Sequence, residues 1–134
     1  MKKTLFLICI VPLLISCATT YQPNQNGTGY EDVALAEDRF AITFTSNTKN
    51  DFTAVKDLAL RRAAEVTINQ GYEYFTVTKE EQKQTSTGCS CKTPTPIKRN
   101  VVLLSIRCFN KKPSAEHAHH AQSLLTTYAQ TDTQ

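Results

Sequence analysis

The chain has 134 residues, which is room for one domain and little more. Fifteen basic side chains stand against twelve acidic ones, and two of the basic ones fall in the first sixteen residues, so the remaining 118 are nearly neutral. That balance excludes a nucleic-acid face built on net charge. With only four glycines and no Gly-rich run, a phosphate-cradling loop is excluded as well.

Met1-Lys2-Lys3 is a short positive region, and the eleven residues from Thr4 to Leu14 are nearly all apolar. This is the order of a secretion signal, and the run is shorter than the roughly 20 residues a spanning helix needs. Leu14-Ile15-Ser16-Cys17 resembles the lipobox of bacterial lipoproteins, with an aliphatic residue three before the cysteine and a small one just before it. The resemblance implies that residues 1–16 are cut off and that Cys17 receives a diacylglycerol on its thiol and an acyl chain on its new amino group. One chain binds a bilayer only marginally, but three, at roughly 0.8 kcal/mol per buried methylene, make a stable anchor. Ala18 stands where an Asp favours retention in the inner membrane, so the resemblance implies the outer membrane, facing the periplasm. The alternative is an ordinary cleaved signal that ends near a cysteine.

Residues 17–37 read as the lipidated cysteine and a flexible, disordered tether, because Pro23, Asn24, Asn26, Gly27 and Gly29 break any periodicity. Residues 38–128 read as a single α+β domain. Its first strand is predicted over Arg39–Thr45, with Phe40, Ile42 and Phe44 on one side. A helix follows from Asp51 or Phe52 to Gln70, with Phe52, Val55, Ala59, Ala63 and Val66 on its apolar face and Gly71 just past its end. A second strand is predicted from Tyr72 to about Gln82, then a long polar loop over Gln84–Lys98. The third strand, Arg99–Phe109, points Val102, Leu104, Ile106 and Cys108 at the core. A short helix over Ser114–Tyr128 and a frayed tail at 129–134 complete the order β-α-β-β-α. The expected architecture is a small antiparallel or mixed three-stranded sheet covered by one main helix.

Three segments carry a family resemblance. Asp38-Arg39-Phe40 opens a strand; Asp57-Leu58-Ala59-Leu60-Arg61-Arg62-Ala63-Ala64-Glu65-Val66-Thr67 lies on the helix; Gly71-Tyr72-Glu73-Tyr74-Phe75-Thr76-Val77 leads the next strand. In this order they resemble a family of small, uncharacterised proteobacterial lipoproteins. The resemblance covers about forty residues, implies fold and location, and implies no activity.

Three cysteines follow the anchor. In the oxidising periplasm a structural disulfide from Cys89 or Cys91 to Cys108 is one expectation, a bridge between Cys89 and Cys91 or to a partner a second, and a metal or redox-active pair a third. His117 and His120 would be one turn apart on a helix and, with the two loop thiols, offer a two-sulfur, two-nitrogen set for zinc or copper; a solvated helix start is the plainer reading. Arg61 and Glu65 read as a surface i,i+4 pair, and Tyr72 and Tyr74 as strand residues that an envelope partner or the glycan wall would meet. Neither a Ser-His-Asp nor a Cys-His set can be assembled. The leading expectation is a lipid-anchored, non-catalytic accessory or interaction module, held to the membrane by its anchor and contacting another envelope protein, with no cofactor and no nucleic acid. The alternative is a metal-binding or thiol-redox lipoprotein.

Overall fold

The computed structural model describes residues 21–47, 51–90, 93–114 and 117–132. The elements run β1 (Gly29–Ala36), β2 (Arg39–Asn47), α1 (Phe52–Asn69), β3 (Tyr74–Ser90), β4 (Thr93–Phe109), β5 (His119–His120) and α2 (Ala121–Thr131). The strands form one antiparallel sheet in the order β1-β2-β4-β3-β5. The α+β class is as expected, but the sheet has five strands where three were expected.

The core follows from period-two and period-3.6 patterns that meet. Phe40, Ile42 and Phe44 of β2 and Val102, Leu104, Ile106 and Cys108 of β4 are buried under α1. The helix meets them with Val55, Ala59, Ala63, Ala64, Val66 and Thr67. The small alanines let its backbone lie close to the sheet. Each large apolar side chain removed from water in this way contributes roughly 1.5–3 kcal/mol. Asp51 caps α1, its carboxylate accepting from the Ala54 N–H at 2.8 Å. Gly71 takes the positive φ of 84° just beyond the helix end. The opposite face of the sheet carries no helix among the described residues.

Three expectations are corrected. Gly29–Ala36, assigned to the tether, is a strand paired along β2 and joined to it by Glu37-Asp38. Even Tyr21 is part of the fold: its ring stacks on Phe44 at 6.2 Å and meets the Tyr30 ring at a tilt, 5.0 Å between centres. Gln84–Lys98, expected as a loop, extends the β3–β4 hairpin, with Thr85 opposite Arg99 and Thr87 opposite Ile97. Pro94 and Pro96 fit because β2 stops pairing at Arg99, so among the described residues β4 has one neighbouring strand beyond it and its other edge needs no N–H donor. The last helix starts at Ala121, not Ser114, and continues to Thr131, through residues expected to be frayed. Pro113 and the short β5 pairing with Tyr74 and Phe75 occupy the segment before it.

Candidate functional site

Of the candidate thiols and imidazoles, those of Cys108, His117, His119 and His120 lie in the described residues. Cys17 and Cys91 lie outside the described residues, as does the thiol of Cys89. The backbone of Cys89 pairs with Pro96, whereas Cys108 pairs with Phe75 at the other end of the hairpin. Twelve residues of β4 separate those rungs, roughly 40 Å at ~3.3 Å per residue. A disulfide needs α-carbons within about 7 Å, so the extended hairpin removes the geometry of a staple from Cys89 to Cys108. Cys108 is buried and free, its sulfur 3.5 Å from the Thr67 hydroxyl, which itself donates to the Ala63 carbonyl at 2.7 Å. Burial pushes this thiol's pKa up, which keeps it protonated and unreactive.

His117 and His120 do not share a helical turn. His117 lies in a turn, and His120 closes β5 and caps α2, its Nδ1 accepting from the Ser123 N–H at 3.2 Å. His120 also meets Tyr74 edge-on at 5.0 Å, and His119 stacks on Phe75 at 5.0 Å. Burial, with the nearby charges of Lys56 and His117, lowers the His119 pKa. Among the described residues no group of three His, Cys, Asp or Glu side chains is placed to hold a metal.

The charged face of α1 forms a denser arrangement than a surface ion pair. The Arg62 guanidinium donates to Asp32 of β1 at 2.8 Å and to Glu65 at 3.0 Å, and lies 4.2 Å from the centre of the Tyr30 ring. The Tyr21 hydroxyl donates to Glu65 at 2.6 Å, while Arg61 covers the Tyr21 ring at 4.4 Å. Burial first, and then the Glu65 hydrogen bond, raise the Tyr21 pKa, so the phenol remains a donor. This cluster clamps β1 and the segment leading into it onto the helix. Arg61 also reaches Asp132 at 2.8 Å across a shallow groove of about 260 Å³ between α1 and α2. Tyr128 lines that groove, and burial pushes its pKa up to about 12.

The free edges of the sheet are the remaining surface. On β1, Val33 is 53% exposed on the helix-free face, and Leu35, at the register shift between Ala34 and Ala36, is 59% exposed. Among the described residues the outer edge of β1 is occupied only at its start. There Tyr30 accepts from the Asn24 N–H at 2.8 Å and donates to the Gln22 carbonyl at 2.9 Å. Gly29 permits this close approach, since a Cβ there would run into the Gln22 and Pro23 carbonyls. By the period-two rule the backbone groups of Asp32 and Ala34 point the same way as those of Tyr30, and no described strand pairs with them.

No protein-family model, curated protein or solved structure matches this chain.

The residues that carry the lipoprotein resemblance have places in the fold. Asp38 accepts from Arg107 Nε at 2.8 Å and its carbonyl takes the Cys108 N–H at 2.8 Å. Arg62 and Glu65 hold the clamp, Ala63, Ala64 and Thr67 are buried, and Phe75 is fully buried. Those residues explain how the domain holds together. Val33 and Leu35 lie outside all three segments. Their signal in the sequence was the alternation Glu31, Val33, Leu35 leading into the two-residue connection Glu37-Asp38.

Proposed function

We propose that the protein is a non-catalytic lipoprotein of the bacterial outer membrane, facing the periplasm and anchored through Cys17. Its task is to receive an extended segment of another envelope protein on the outer edge of β1. The observation that carries this reading is the pair Val33 and Leu35, both more than half exposed beside an edge with which, from Asp32 onward, no described strand pairs. Edge pairing of this kind draws affinity from backbone hydrogen bonds and specificity from alternate side chains. Asp32 is already held by Arg62, so the edge is ordered before a partner arrives and ordering costs at binding are small. The anchor rests on the Leu14–Cys17 lipobox pattern.

The test is photo-cross-linking in intact cells from position 33, compared with position 81 on β3. A discrete adduct from 33 that is absent from 81, and lost on Leu35→Lys, is the expected result. Equal labelling from both positions, or labelling from neither, would refute the docking edge. Intact mass of protein purified from membranes checks the anchor separately, through the acyl mass on the Cys17 peptide.

A further inference from the structure

The way the chain enters the fold decides which end of the domain meets the membrane. Cys17 and Tyr21 are four residues apart, so their α-carbons lie within about 14 Å even when the chain is fully extended. Tyr21 is fixed on Phe44 and Glu65. The domain therefore sits on a short stalk, and the long tether expected from composition is largely absorbed into β1 and its flanking segment.

The sheet also gives a direction. Pro23 bridges Tyr30 in parallel, so the entering segment runs the same way as β1. Strand β1 starts at Gly29, opposite Thr45, and ends at Ala36, opposite Arg39. Thr45 pairs with Val101, close to where β2 ends and the β3–β4 hairpin projects beyond the other described strands. The stalk and the projecting hairpin thus leave from the same end of the sheet. Arg99 ties them, donating to the Asn26 carbonyl at 3.0 Å. Ile97 lies five residues along β4 from Val102, the partner of Phe44, about 17 Å nearer the hairpin tip at ~3.3 Å per residue. That distance exceeds the longest stalk.

The hairpin has the chemistry of a phospholipid surface. Between Gln82 and Asn100 the sequence has no acidic residue. Lys83 and Lys98 are exposed, and Ile97, one rung nearer the tip than Lys98, is 47% exposed. The other end of the sheet is mixed in charge, with Glu37 and Asp38 at the β1–β2 turn, Arg39 and Arg107 on Asp38, and Lys111 and Lys112 just after β4. From these observations we infer that the β3–β4 hairpin rests on the bilayer, with Lys83 and Lys98 at anionic headgroups and Ile97 at the apolar boundary. The inference rests on the Cys17 anchor proposed above and adds a second, protein-borne contact with the lipid.

The chain has no tryptophan, so Ile97→Trp and Leu35→Trp each install a unique reporter at an exposed site. The full lipidated protein is reconstituted into phosphatidylethanolamine–phosphatidylglycerol vesicles containing lipid brominated in its acyl chains. The expected result is about a twofold or greater fall in Trp emission from position 97, as for a side chain in the headgroup–acyl boundary, with no fall from position 35. The fall from 97 shrinks when Lys83 and Lys98 are both changed to Glu. Vesicle-bound protein whose two reporters are equally unquenched overturns the inference while leaving the anchor standing; a hairpin that contacts a protein instead gives this outcome. Failure to sediment with vesicles, with no acyl mass on the Cys17 peptide, overturns the anchor and the inference together.

Discussion

Strands β1 and β3 both leave a backbone edge without a neighbouring strand over most of their length among the described residues, since β5 covers β3 only at Tyr74 and Phe75. They treat that edge differently. Along β3 stand Lys79, Glu80, Glu81 and Lys83, with Lys79 paired to Glu81, Lys56 of α1 on Glu80 at 2.7 Å, and a bulge between Val77 and Lys79. Charge and bulging are the usual devices against unwanted strand pairing. Strand β1 places Val33 and Leu35 in water, keeps its register regular from Gly29 to Ala34, and shifts register only at Leu35, between Ala34 and Ala36. Its acidic Asp32 is turned to the helix and held by Arg62. Beyond the exposed Glu31, β1 offers the two exposed apolar side chains Val33 and Leu35 where β3 offers a run of charge, and that difference is the physical basis for assigning docking to β1.

The largest effect is expected from Arg62→Ala. Asp32 and Glu65 lose their shared partner and Tyr30 loses the guanidinium over its ring. The side chain is only 18% exposed, so a loss of about 2–3 kcal/mol is expected in urea unfolding. Hydrogen exchange is expected to accelerate in β1 and to stay unchanged in β3 and β4, which would erase the ordered edge without touching the defended one.

Acidification probes the other side of the sheet. Lys56 and then Gln82 hold the Glu80 carboxyl below its ordinary value, and Arg107 does the same for Asp38. A depressed carboxylate stabilises the fold above its unfolded pKa and loses that contribution as pH falls through the folded value. Burial depresses His119 from 6.5, so protonation favours the unfolded chain as pH falls below that value. Urea midpoints are therefore expected to decline in two stages, one starting below about 6.5 and absent in His119→Phe, the other starting below about 4.5. Lys56→Met is expected to flatten the second stage and to cost about 0.5 kcal/mol at neutral pH, since both partners are part-exposed.

The smallest effect on stability is expected from Val33→Lys. The site is in water, so the change is within about 0.5 kcal/mol, yet it gives β1 the defence that β3 already has. Loss of the position-33 neighbour in cells, probed from Leu35 instead, with unchanged stability, separates a docking role from a folding role.

The central strands and the main helix were legible because each carries a clean period. Phe40, Ile42, Phe44 and Val102, Leu104, Ile106 alternate, and Val55, Ala59, Ala63 recur at helical spacing. Strand β1 was obscured by the Asn, Gly and Pro residues before it, which form the turn that seats Tyr21 rather than a free linker. The hairpin extension was obscured by Pro94 and Pro96, whose tolerance depends on where β2 ends, a tertiary fact. His117 and His120 looked like a helical pair because the start of α2 is set by β5 pairing with β3, which no local spacing encodes. The docking edge was half visible: the alternation was present, but its exposure depends on which strand stands at the rim.

Hydrogen exchange of β1 in native outer-membrane fragments, compared with the purified lipidated protein, tests the docking edge most directly. If the outer edge of β1 takes a partner strand, peptides covering Gly29–Ala36 exchange more slowly in the membrane fragments, and those covering Lys79–Thr85 exchange at the same rate in both. Equal exchange of Gly29–Ala36 in the two preparations, or slowing confined to β3, would contradict it.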